Sequence, residues 1–258
     1  IFLLSTGGTL LLCTPLIHTT ELVNGLVIGK MCWFHLVMLF FSVCVFFVVL
    51  TKRTTAIAFL SSDLLLLIFT GTVLITYKWS LNPEPEKLIF IGQLVIFWFL
   101  LRYILTAYRE FNFFFLFVGI LTGLVEAVWG MQQLHGHAYS NHSLFRLTGS
   151  FFNPGPYSGY LAVVLPVGLW MALRFQKGMR CFGYICVGAI LIVLPAGMSR
   201  SAWMAAVVAC GWVYWAERIG WEKTKAIYSR YKNVAVPFFA IVILLAGCAF
   251  AGLYGLKR

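Results

Sequence analysis

Met31-Cys-Trp-Phe-His-Leu-Val-Met-Leu-Phe-Phe-Ser-Val-Cys-Val-Phe-Phe-Val-Val-Leu50 is a run of twenty residues without a single Asp, Glu, Lys or Arg. A helix rises about 1.5 Å per residue, so a run of this length spans the ~30 Å hydrocarbon core of a bilayer. A transmembrane β-strand would alternate apolar and polar side chains. This run is solid, so it predicts a helix whose backbone groups are satisfied within the segment.

Outward from this run, further apolar segments fall at roughly 1–17, 55–77, 88–106, 112–132, 156–173, 181–198, 201–216 and 234–254. With 31–50 they predict an all-α bundle of about nine spans in one membrane domain over 1–258. Over the 258 residues, 61% are hydrophobic and only 10% charged, with a mean hydropathy of +0.92. Soluble domains carry roughly 25% charged residues, and a surface this poor in charge is not that of a soluble globule. The chain starts at Ile1 inside an apolar run, without an initiator Met, basic n-region or cleavage site, which reads as a piece of a longer chain.

The net charge of +11 does not point to nucleic acid, because the basic residues sit in short clusters between apolar runs. That is the distribution of topology signals and anionic-lipid contacts. Twelve Lys and Arg fall in one set of alternate loops and seven in the other. The richer set is expected to be cytoplasmic, so the first helix starts inside. Trp79, Trp129, Trp215 and Trp221 near span ends fit an interfacial aromatic belt. The seven cysteines are scattered; Cys181 and Cys186, the nearest pair, fit no metal or redox spacing.

On the outer side, polar chemistry gathers in two places. One is Arg146, Thr148, Gly149, Ser150, Asn153, Pro154, Gly155, Pro156 and Tyr157; the other is Ser199, Arg200 and Ser201. Each precedes a span entering from outside, with Pro156 placed to open the sixth helix and Ser199 to cap the eighth. Free N–H groups and the dipole make a helix N-terminus attractive to anions. Arginine's planar fork suits phosphate. Arg146 and Arg200 are therefore candidate phosphate ligands, against the simpler reading that each snorkels to lipid headgroups. Glu126, inside the fifth span, reads first as a structural ion pair, with arginine as a partner, and second as a catalytic acid. Asp63 in the third span is similar with less company. His135, His137 and His142 in the long outer loop lack the further ligands a metal needs. No cofactor is expected. No phosphate-binding glycine loop, nucleophile elbow or outer carboxylate pair is present.

The run Arg146-Leu-Thr-Gly-Ser-Phe-Phe-Asn153-Pro-Gly-Pro-Tyr-Ser-Gly-Tyr-Leu161 resembles the signature of the O-antigen ligase and polymerase superfamily, in which an Arg, a Gly and an Asn-Pro pair lead into a helix. Gln132-Gln133 before it and Ser199-Arg200-Ser201-Ala202 after it are similar too. The resemblance covers about 110–258; the first five spans match in hydropathy alone. The Asn-Pro-Gly form is similar to a Bacteroidetes-type branch.

The resemblance implies a fold like that of other integral-membrane glycosyltransferases. It also implies an inverting, metal-independent transfer in a bacterial inner membrane. A glycan on undecaprenyl pyrophosphate would pass, on the periplasmic face, to a hydroxyl of lipid A core, a growing glycan or a protein. It assigns Arg146 and Arg200 to the donor pyrophosphate, with Asn153, Gly155, Tyr157, Ser199 and Glu126 in support. Family members carry a large periplasmic loop after a late span, with a histidine base. Here that loop and base are expected beyond Arg258, and 1–258 alone is expected to be inactive. Two other readings stay open: a transporter or lipid-linked glycan flippase, and a scaffold that binds such a lipid. Transporters gather charge near the midplane, whereas polar residues here gather at one face.

Overall fold

The computed structural model describes residues 2–19, 25–51, 59–79 and 85–220, together with 223, 229 and 230. Every regular element among them is helical. The α-helices are α1 (Phe2–Leu12), α2 (Gly25–Thr51), α3 (Ser61–Lys78), α4 (Pro85–Ala107), α5 (Glu110–Leu134), α6 (Pro154–Arg174), α7 (Lys177–Val193) and α8 (Arg200–Ile219). Short 3-10 turns cover Thr14–Leu16 and Pro195–Gly197.

Six helices, α2 to α7, are long and apolar enough to cross a membrane. Of the nine spans expected, the first is an 11-residue helix followed by a 3-10 turn with Pro15 in its first turn. Proline supplies no N–H and clashes with the preceding turn, so α1 stops where the hydrophobicity continues. The eighth is a 20-residue helix without leucine and with Arg200, Glu217 and Arg218 at its ends. The ninth, at 234–254, lies outside the described residues, as does most of the inner segment around Trp221.

The chain divides into two compact units, Ile1–Cys44 with Tyr108–Trp221, and Val45–Ala107 with Glu222–Arg258. In the first, α6 is central and packs on α5, α7 and α8, while α1 lies along α5. The core runs through Ile120, Leu161, Leu165, Met171, Ile190 and Val193, all buried. Small residues let the backbones approach, as in membrane bundles where packing replaces a hydrophobic drive. At Gly183 on α7 a Cβ would stand 2.6 Å from the backbone nitrogen of Ala172 on α6. At the end away from Arg146, Phe113 meets Phe175 (5.2 Å between ring centres) and Arg174 reaches Glu217 at 3.6 Å.

In the second unit, α3 packs on α4 around buried Asp63. Its carboxylate accepts from the Arg102 guanidinium, from the Trp98 indole N–H (2.8 Å) and from the Leu60 amide (2.8 Å). The company missing from the sequence reading lies one helix away, on α4. Asp63→Asn removes the counter-charge of Arg102 and is expected to loosen this helix pair. Trp98 fluorescence becoming more accessible to a quencher would report it, and an unchanged spectrum would count against the pair as a clamp.

Candidate functional site

Six helix ends of the first unit meet at one end of the bundle: the ends of α1, α5 and α7, and the starts of α2, α6 and α8. The contacts that place them are side-chain to backbone. Lys30 on α2 donates to the carbonyls of Pro15 and Ile17 (2.8 Å for Ile17) and to Ser150 Oγ (3.0 Å). A Cβ on Gly197 would overlap Ser158 Oγ and lie 4.0 Å from the Pro154 carbonyl, so the turn before α8 rests on the first turn of α6. The two polar places read from the sequence therefore stand side by side.

The segment 147–150 is buried between exposed Arg146 and exposed Phe152 and Asn153. Gln133, at the end of α5, binds it with both ends of its amide. Its Nε2 donates to the carbonyls of Tyr139 (3.0 Å) and Gly149 (3.1 Å), and its Oε1 accepts from the amides of Thr148 (2.9 Å) and Gly149 (2.7 Å). Asn141 Nδ2 adds bonds to the carbonyls of Gly149 (3.0 Å) and Phe151 (3.1 Å). Gly149 itself has φ +56°, a left-handed conformation that glycine adopts without penalty. Two helical turns below Gln133, buried Glu126 accepts from the Ser150 amide (3.0 Å) and the Ser150 hydroxyl. The arginine expected as its partner is replaced by Ser150 and, through it, Lys30. Tyr157 is fully buried and donates its hydroxyl to the Glu126 backbone carbonyl at 3.1 Å. Glu126 and Tyr157 thus support the loop from beneath instead of facing a ligand.

The two helix starts differ in what they offer an anion. Helix α6 opens at Pro154, two residues before the expected start, with Asn153 as its cap. Asn153 is extended (φ −133°, ψ 142°), as a residue before proline prefers. Asn153 Oδ1 accepts from the Gly155 amide at 3.0 Å, and Pro154 and Pro156 have no N–H, so residues 154–156 present no free donor. The expectation of amide-bound anion at this helix is corrected accordingly. At α8 the reverse holds. Ser199 occupies the cap position but its hydroxyl pairs with Ser201 (3.3 Å) instead of capping. Trp203 supplies the first helical N–H bond, to the Ser199 carbonyl (3.1 Å). Among the described residues, the amides of Arg200, Ser201 and Ala202 have no hydrogen-bond partner. Met198, just before, holds φ +52°, a left-handed strain of the kind that collects at functional sites.

Arg146 and Arg200 are both exposed, and among the described residues neither has an ion pair or hydrogen bond. From the start of α8 an apolar cavity of about 380 Å³ runs between α6, α7 and α8, walled by Leu165, Leu169, Val187, Leu191, Trp203 and Val207. The Trp203 indole is fixed by its bond to the Leu194 carbonyl (2.9 Å). His142 packs against the rings of Phe145 (4.8 Å) and Phe152 (5.4 Å), while His135 Nδ1 meets the Met131 carbonyl at 2.8 Å. Comparison of the chain with family models, with curated proteins and with solved structures found no match in any of the three.

Sequence reading passed over Lys30, which it counted as a loop charge. The available signal was a lysine opening an apolar run on the side that topology disfavours. Gln133 entered only through the resemblance, with no role attached, and Asn141 carried no signal beyond its type, since their partners are backbone atoms of a loop.

Proposed function

We propose that this chain is the membrane part of a glycosyltransferase similar to O-antigen ligases, in a bacterial inner membrane with about nine spans. It takes a glycan from undecaprenyl pyrophosphate at the periplasmic face and passes it to an acceptor hydroxyl. The observation that carries the reading is the pairing, at one end of the bundle, of two partnerless exposed arginines with the three free amides of α8. An apolar cavity begins beside the start of α8. Such an arrangement suits an amphiphilic diphosphate: charge at the mouth, isoprenoid chain along the groove. Arginine and amide donors aimed at a leaving pyrophosphate lower the barrier by stabilising charge that develops in the transition state.

The uneven helix ends make the test specific. A phosphate near α8 has Arg200 and three amides, whereas one near α6 has the Arg146 side chain alone. In the intact gene product, expressed in its host, Arg146→Ala is expected to lower transfer by about 100-fold or more. Arg200→Ala is expected to cost less, and lipid-linked glycan should accumulate in both. Lys at either position should fail nearly as badly as Ala, because a point charge does not reproduce the two-pronged geometry. Normal transfer in all four variants, at normal protein level, sinks the assignment. Glycan trapped on the inner leaflet moves the reading to a flippase.

A further inference from the structure

The structure joins three charged or polar side chains from three separate parts of the chain at one buried point. Ser150 Oγ contacts Glu126 of α5, the carbonyl of Pro15 after α1, and Lys30 of α2 at 3.0 Å. Glu126 and Ser150 are fully buried. Lys30 spends its three N–H donors on Pro15, Ile17 and Ser150, and its ammonium lies 4.8 Å from the centre of the Phe151 ring. A serine between a lysine and a carboxylate is an arrangement some hydrolases use for a nucleophile. Here the hydroxyl is out of reach of any substrate, so its consequence must lie in what it fixes.

What it fixes is the loop that carries Arg146. Arg146 lies four positions before Ser150 and the α6 cap Asn153 three positions after it, and both are exposed. Gln133 and Asn141 secure the loop locally, from within 16 residues of Gly149. Lys30 is one of three long-range ties, beside His18 to Asn141 (3.3 Å) and Ser150 to the Pro15 carbonyl: it is 120 residues from Ser150 and binds the turn after α1 with the same ammonium. We infer that Lys30 is a positioning residue of the anion site: together with Glu126 it clamps Ser150 and so sets where Arg146 stands. The N-terminal segment, α1 through the start of α2, is then a working part of the site and not only membrane anchorage. This inference rests on the reading of Arg146 as a phosphate ligand. Displacement of a binding group by ~1 Å can cost roughly a hundredfold in rate, so the clamp acts on turnover without touching substrate.

The test uses the intact protein in lipid nanodiscs, with Lys30→Met and Ser150→Ala. Two things are measured: amide hydrogen exchange, and transfer from a lipid-linked glycan donor. Lys30→Met is expected to speed exchange over 139–153 by about tenfold, with amides of α7 and α8 unchanged. It should also lower kcat by about tenfold or more while KM for the acceptor holds. Ser150→Ala keeps both charges and removes only the link, so a smaller change confined to the same segment is expected. If Lys30→Met does not accumulate, Ser150→Ala decides. Native exchange over 139–153, or an increase spread equally over α7 and α8, overturns the clamp. Arg146→Ala is run alongside: full transfer there would sink the reading of Arg146 as a phosphate ligand, while the exchange data would still decide whether Lys30 holds the loop.

Discussion

Replacing Glu126 with Ala is expected to cost about 1–3 kcal/mol of stability or more, the range for leaving a buried hydrogen-bonding group without its partner. The substitution strips the buried Ser150 amide and hydroxyl of their acceptor and removes the negative charge that reaches half-buried Lys30 through Ser150. Glu126→Gln separates the two effects. It keeps an oxygen for the Ser150 amide but not the negative charge, so the difference between the two variants isolates the electrostatic share. Thermal unfolding in a mild detergent provides the measurement. Equal stability of Glu126→Ala and the parent would mean that the carboxylate does not hold the loop.

Gly149→Ala is the second large effect. A left-handed alanine costs about 1–2 kcal/mol by itself. At this position the new Cβ would also overlap the Glu126 carboxylate and the Tyr157 ring, neither of which has room to move. A total above about 3 kcal/mol is expected, since overpacking adds to the backbone term. Gly136→Ala is the control. Gly136 also lies at positive φ (+79°), but a Cβ there meets nothing within 4 Å, so only the backbone cost of about 1 kcal/mol should appear. A similar loss at both glycines would show that the contact with Glu126 and Tyr157 is immaterial.

The helical class was legible because apolar runs such as 31–50 are unbroken, and the bilayer's thickness turns run length into a span. Length alone says less about the ends of the series. At 1–17 the apolar character outlasts the helix because Pro15 stops it. At 201–216 the residues are helical, but Ala, Trp and Tyr stand where α2 has Val, Phe and Leu. The neighbourhood of the two polar places was also legible, because alternating topology puts the starts of the sixth and eighth helices at one end. The donors at those starts were not. That Pro154 and Pro156 lack N–H groups is visible in the sequence, yet the loss of the Gly155 amide requires knowing that Asn153 turns back onto it. The partner of Glu126 was illegible for another reason. Lys30 and Ser150 lie 96 residues before it and 24 after it, and no local pattern connects positions so far apart.

The same two prolines bear on how the bundle is made. Starting a helix requires several backbone angles to be fixed before the first hydrogen bond rewards them, and this nucleus is the improbable step. In the first turn of α6, Pro154 and Pro156 have φ set by their rings, and Asn153 is held extended by the proline after it. Much of the nucleus is therefore assembled by covalent geometry as the chain is synthesised, before any neighbouring helix exists to help. The register of the central helix is decided early, and the later helices assemble around a rod whose first residue is already settled.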